Sequence, residues 1–398
     1  MPGIRNRRFA VGLLLALSWV SATAATDDMQ AAAQAEKARQ EAFRSGMQAI
    51  AADLDATNYD SFIAAIDRQD MVERIFGLRL IDPHVKKQFT DNLDYSFEPM
   101  VKSSFTETED GLQATLLGVE SNGNEGRAVV RFDLPDFQFD YHEYLLRLDD
   151  NNRLVIVDWT DFLEGMLFSE SVGRQLIMAL PSHSAERKLI DFQDVSDTEL
   201  FQFGELLKAA RDRKLDRYLQ IRDSMDQRFQ RQRIVVETTV QLAKTVRRRR
   251  EMVGGLQIMA QLYPDEPLYS LMLLDYYFPA RKYAEALAAL TRLYARLGFE
   301  DAAMEARLSA AELVLGKTGE AKTRADRAVS LEPDLELAWW SSLGARVALE
   351  DYSGSVEALK VLEDKFRYDL GPDALERSPA YRGLLASDEY RDWRASHK

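Results

Sequence analysis

The chain contains no cysteine. That excludes disulfides, thiolate metal ligands and cysteine nucleophiles, and it excludes a lipid anchor attached through a cysteine thioether. Histidine is nearly as scarce: His84, His142, His183 and His397 are the only four. None shares an H-x-x-x-H or H-E-x-x-H spacing, so no metal site and no general base is read from them. His142, between Tyr141 and Glu143 on an expected strand, is read as structural or solvent-facing. The glycine-rich P-loop, the dinucleotide fingerprint and the G-x-S-x-G elbow are missing too, so no cofactor and no catalytic residue is assigned. Positive charge is in deficit, with a net charge of −14. Such a chain is not expected to bind nucleic acid as a whole.

What is present begins with a basic, apolar leader. Arg5, Arg7 and Arg8 precede an apolar run, Phe9 to Val20, and Ala22-Thr23-Ala24 follows it. This three-part order predicts a secretory signal peptide over 1–24, cleaved after Ala24, with the mature chain in the periplasm. The run is shorter than the about 20 residues a membrane span needs, and no later stretch spans a bilayer. Phe9 directly follows Arg7-Arg8, which favours the general secretory route over the twin-arginine route. Apolar residues at 46% and charged residues at 29% are those of a globular chain, and the length suits two or three domains.

Residues 25–180 read as an α+β domain. Asp27 to Leu54 is rich in helix formers. A short helix capped by Asn58 or Asp60 follows through Asp67, and a third starts at Asp82-Pro83 and runs to Phe97. Four strands are then predicted: Leu112–Val119, Arg127–Asp133, Phe137–Leu148 and Arg153–Trp159. Turn clusters at Ser121–Gly126 and Asp149–Asn152 separate them. Helices followed by meandering strands indicate an antiparallel sheet. The order of elements and the closing pair LLRLDDNNRLVIVDW resemble the NTF2-like, cone-shaped domains. That resemblance implies two further possibilities, a carrier holding a lipid or apolar ligand in the cone, and an enzyme using an acid at its mouth. Asp158, Asp161 and Glu164, near Trp159, are the acids so placed. As plain residues they read as a strand-end cap and a solvated loop.

Residues 181–197 read as a linker, and strand signals then vanish. Pro264, Gly298 and Pro333 punctuate the rest at intervals of 34 and 35 residues, so helix-turn-helix units begin near Arg233, Pro267, Ala302 and Glu336, with an earlier unit over Glu199–Gln232. Trp340-x-x-Leu343-Gly344, Tyr283-x-x-Ala286, Tyr352-x-x-Ser355 and Ala321, Ala325 and Ala328 resemble the tetratricopeptide family. The expected fold is therefore an α+β domain followed by an all-α helical solenoid over 198–370, with a capping helix in 371–398, and predominantly α overall. The family resemblance implies a groove for a peptide or partner helix. Mapped onto that groove, the candidates are Met272, Asp275, Arg307 and Trp340, with Trp339 expected in the core. Lys208 to Arg250 carries fourteen Lys or Arg against five Asp or Glu. Its peak, Arg247, Arg248, Arg249 and Arg250, reads either as an anion site, for lipid headgroups or an acidic partner, or as a solvated turn pairing within the chain. The leading expectation is a non-catalytic envelope scaffold or adaptor that binds a protein partner.

Overall fold

The computed structural model of the chain describes residues 33–77, 83–106, 111–179, 187–190 and 192–396. The leader over 1–24, part of the 181–197 linker, His183 and His397 lie outside them. No helix among the described residues is long and apolar enough to cross a membrane.

The N-terminal part holds helices α1 (33–55), α2 (Asp60–Ala65), α3 (Arg68–Gly77), α4 (Pro83–Asp91) and α5 (Leu93–Lys102). The expected second helix is thus two, because the Asp67 carboxylate accepts from the backbone N–H groups of Gln69 and Asp70 and starts a new helix there. The expected helix from Asp82 to Phe97 is also two, divided at Asn92. Strands β1 (Gln113–Asn122), β2 (Glu125–Leu134), β3 (Gln138–Leu148), β4 (Leu154–Asp161) and β5 (Met166–Leu167) form one antiparallel meander in sequence order. A further helix, α6 (Phe168–Ala179), returns across the sheet. The two-residue β5 and α6 were not expected.

Strand alternation sends side chains to two different partners. Ala128, Val130 and Phe132 of β2 and Tyr144, Leu146 and Leu148 of β3 join Phe43, Phe62, Ile75, Phe97 and Trp159 in the core beneath the N-terminal helices. Trp159 stacks on Phe168 at 4.0 Å and meets Phe62 edge-on. Aromatic rings of the chain itself thus pack the space between the sheet and the N-terminal helices. Val129 of β2 and Phe139 and Tyr141 of β3 face the opposite way, into a second core built with the C-terminal helices.

That C-terminal part is helical throughout its described residues. Ser196 opens it with a capping box: its hydroxyl accepts from the Glu199 N–H, and the Glu199 carboxylate accepts from the Ser196 N–H. Five hairpins follow, with helices Asp197–Arg211 and Leu215–Ser224, Arg233–Thr245 and Arg249–Leu262, Ser270–Tyr277 and Tyr283–Leu297, Ala302–Val314 and Thr318–Leu331, and Glu336–Ala348 and Tyr352–Asp364. Each hairpin turn carries one left-handed residue: Arg213, Arg247, Arg281, Gly316 and Glu350, 34 or 35 residues apart. At each turn the next N–H reaches back to the carbonyl five residues earlier, as in Lys214 to Ala209, Arg248 to Ala243 and Lys317 to Glu312. This is the Schellman closure of a helix end. The period read from punctuation is thus a repeated backbone geometry. Ala321, Ala325 and Ala328 are fully buried between neighbouring helices, where small side chains permit close approach. Short helices Arg382–Ala386 and Asp388–Ser396 cover the end, burying Leu384, Tyr390 and Trp393.

The sheet and the array, joined in sequence through residues 181–197, pack directly against each other. Val236, Val240, Met272, Met304 and Leu308, from the first helices of three consecutive hairpins, pack with Val129, Phe139 and Tyr141 of the sheet. Much of the surface that a repeat array would present as a free groove is therefore occupied by β2 and β3. Two arginines on the array-facing side of β2 fasten the joint. Arg131 is fully buried and donates to Asp133 (2.6 Å), Asp301 (2.6 Å) and Glu332 (2.9 Å). Arg127 donates to Glu143 (2.8 Å) and to the carbonyls of Arg296 (3.1 Å) and Leu297 (2.9 Å), where helix Tyr283–Leu297 ends.

Candidate functional site

Where β3 leaves the array, a cleft of about 650 Å³ remains open. Its floor is apolar, with Phe139 and Leu163 from the sheet domain and Val240, Leu256, Leu271 and Met272 from the array. Its rim carries Lys244, Arg247, Arg248, Arg249 and Arg307 against two acids, Asp136 and Asp275.

The geometry leaves part of that positive charge uncompensated. Two rim cations are paired: Arg248 has Glu251 at 2.5 Å and Asp216 at 3.4 Å, and Lys244 lies 3.8 Å from Glu164. Arg247 and Arg249 are exposed and have no ion pair among the described residues. Arg307 donates to the Phe137 carbonyl, and its guanidinium lies 5.1 Å from the centre of the Phe139 ring. Its Nε is buried without a hydrogen-bond partner among the described residues. Burial pulls its pKa down against the charges of Tyr141, Asp275 and Asp301. Burial likewise raises the Asp275 carboxyl, opposed by Lys244, Arg249 and Arg307. Three residues on the rim, Asp136, Phe137 beside it, and Arg247, hold left-handed backbone. Such conformations are unfavourable for residues with a Cβ; Arg247 shares its geometry with the other hairpin turns, whereas Asp136 and Phe137 lie outside that repeat.

The two sets of residues singled out in the sequence thus partly meet. Met272, Asp275 and Arg307 line the same cleft as Arg247, Arg248 and Arg249. Arg250 does not reach it, because it has turned with the first residues of helix Arg249–Leu262. Trp340 is elsewhere. Its Nε1 donates to Glu336 at 3.0 Å and its ring meets Tyr368 edge-on at 5.1 Å. Trp339 and Trp340 are both half-buried against the C-terminal core, so the expected division into one core and one groove tryptophan is corrected. Phe139 and Leu163 were missed. Phe139 comes from β3 and Leu163 from the turn after β4, both far in sequence from their array neighbours, and no local pattern announces that meeting.

The acids near Trp159 resolve differently. Asp158 is buried and accepts from the Ser169 hydroxyl (2.6 Å) and from the N–H groups of Trp159 (2.9 Å) and Ser169 (3.2 Å). It caps the start of α6, and burial raises its pKa. Glu164 is half-buried, and burial raises it too. Asp161 instead joins Asp140 and His142 in a buried group. Its sequence trace is the Asp140-x-His142 spacing, which strand alternation places on one face. Burial and the charge of Asp161 raise the Asp140 carboxyl to about 6, opposed by His142. Burial disfavours the His142 imidazolium, but Asp140 and Asp161 outweigh it and raise the ring to about 9.

Comparison with known proteins gives no matching family model and no matching curated protein. The class that the fold and cleft define is a mixed α+β and helical-hairpin protein with a cationic, apolar-floored cleft at their junction.

Proposed function

We propose that this protein is an exported, non-catalytic envelope scaffold, and that its cleft holds a partner-protein segment in which acidic side chains alternate with apolar ones. One observation carries the reading: an apolar floor sits beneath a rim where Arg247, Arg249 and Arg307 make no ion pair among the described residues. Apolar burial supplies affinity and the arginines supply selection for carboxylates and speed of encounter. The leader over 1–24 supports export. The five repeated hairpin turns support the tetratricopeptide-like reading of the array, and the helices-then-meander order supports the NTF2-like reading of the sheet domain. A carrier function inside the cone has less support, since Phe62, Tyr144 and Trp159 fill that space.

The test uses full-length protein and a triple variant, Arg247→Gln, Arg249→Gln and Arg307→Gln. Binding partners are measured from envelope extract at several salt concentrations, beside vesicles of anionic and of neutral lipid. The expected result is one saturable protein partner whose affinity falls about tenfold or more, roughly 1.4 kcal/mol, in a variant that keeps its helical circular dichroism. Binding to anionic vesicles alone would replace the protein partner with a lipid surface. A partner held equally well by the variant would refute the cleft.

A further inference from the structure

The ends of β3 and β4 bring three ligand-type atoms together away from the cleft's basic rim. His142 Nε2 lies 3.3 Å from Asp140 Oδ2 and 3.7 Å from Asp161 Oδ2. The three ligand atoms lie within 4.8 Å of one another, and all three residues are buried. We infer that Asp140, His142 and Asp161 form a binding site for a divalent transition-metal ion of the zinc type.

Three observations carry this beyond a buried ion pair. First, a charge-assisted N–H to carboxylate bond closes to about 2.7–2.9 Å, and neither contact does. Zinc bonds of about 2.0–2.1 Å to nitrogen and about 2.0–2.2 Å to oxygen imply a tetrahedral nitrogen–oxygen edge of about 3.4 Å, close to the spacings found. Second, each ligand's remaining polar atom is already held. Asp140 Oδ1 accepts from the N–H groups of Tyr141 (2.7 Å) and Leu163 (3.2 Å), and Asp161 Oδ1 from Glu164 (2.8 Å). His142 Nδ1 lies 3.1 Å from the Tyr144 hydroxyl. With Nδ1 protonated towards that hydroxyl, the Nε2 lone pair points at the two carboxylate oxygens. This is the outer arrangement that orients metal-binding side chains. Third, the imidazole packs among the Phe105, Phe132 and Tyr144 rings, and both carboxylates beside it are buried. A buried charge needs compensation; the imidazolium balances one carboxylate, whereas a divalent ion bound to the deprotonated ring, its proton released on binding, balances both. One imidazole with two carboxylates suits zinc and its first-row neighbours; calcium and magnesium favour all-oxygen shells of six or more ligands. Asp161 is the most exposed of the three and marks the way in. Filling the site would clip the strand ends to the turn that presents Leu163 to the cleft.

The experiment takes full-length, untagged protein stripped with a chelator and titrates it with Zn²⁺ and, separately, Co²⁺. One equivalent of Zn²⁺ should bind and raise the melting temperature, and Co²⁺ should give the visible bands of a low-coordinate site. Asp161→Asn should weaken Zn²⁺ binding by about 100-fold or more. Tyr144→Phe, which changes only a positioning residue, should weaken it by about tenfold, within the range for such partners. If Asp161→Asn does not fold, zinc-edge absorption of the wild type decides, with one imidazole and oxygen donors expected. No stoichiometric binding, an oxygen-only shell, or unchanged affinity in a folded Asp161→Asn would overturn the assignment.

Discussion

Replacing Arg131 with methionine tests whether sheet and array form one unit. Arg131 is a single fully buried cation shared by three carboxylates. Two of them are partly open to water, with side-chain exposures of 24% for Asp133 and 31% for Glu332, and would rehydrate when the cation is lost. Asp301 is fully buried and would keep only the Tyr141 hydroxyl (2.7 Å) and the N–H groups at the start of helix Ala302–Val314. Removing one partner of a buried pair costs about 3–5 kcal/mol. The two exposed carboxylates place Arg131→Met near the low end, about 3 kcal/mol. Adding Asp301→Asn removes the stranded charge and should recover part of that loss, so the two changes should be non-additive. Urea unfolding followed by tryptophan fluorescence and by far-ultraviolet circular dichroism measures both quantities. Trp159 reports on the sheet domain, while Trp339, Trp340 and Trp393 report on the array. Loss of less than about 1 kcal/mol, or additive effects, would refute the joint as a coupled element.

Three further outcomes follow from local structure. Ser196→Ala should cost about 1 kcal/mol at neutral pH by removing a helix cap. Glu199 is held down to about 2, from 4.5, by the Ser196 backbone and hydroxyl and by Arg228; its stabilisation is full above pH 4.5 and lost as pH falls towards 2, and Ser196→Ala should make that acid limb of a denaturation series shallower. Arg281→Gly should raise stability by up to about 1 kcal/mol in thermal unfolding, because Arg281 holds left-handed backbone at an exposed turn where the equivalent residue of the next hairpin is Gly316. Trp340→Ala should lower stability by about 2 kcal/mol, reflecting half-buried packing and its bond to Glu336, and should leave cleft binding intact when partner affinity is measured on the folded variant.

The four main strands were legible because turn clusters at Ser121–Gly126 and Asp149–Asn152 bracket runs of strand formers. The repeat was legible because Pro264, Gly298 and Pro333 mark helix ends at a fixed interval. Other features lacked a local signal. Nothing between Gly165 and Ala179 distinguishes a two-residue strand followed by a helix from a strand-end loop. Asp67 looks like the end of a helix, although its carboxylate starts the next one. The docking of β2 and β3 on the array was hidden for a deeper reason. The run RAVVRF reads equally as a strand with one wet face or as one with two buried faces, and Arg127 and Arg131 look like solvent-facing charges until Glu143, Asp301 and Glu332 arrive from distant sequence. The basic run at Arg247 was visible as charge. That three of its arginines share a cleft with Met272, Asp275 and Arg307 depends on the hairpin turn, whose left-handed residue no glycine marks.

Site-specific photo-crosslinking in intact cells tests the cleft most directly. A benzophenone amino acid is placed at position 275, on the cleft rim, and a control at position 95, where Tyr95 is 87% exposed on the N-terminal helices. The account predicts a discrete adduct with one envelope protein from position 275, lost when Arg247, Arg249 and Arg307 are all changed to Gln, and no such adduct from position 95. An adduct that survives the triple substitution, or one that forms only from position 95, would contradict it.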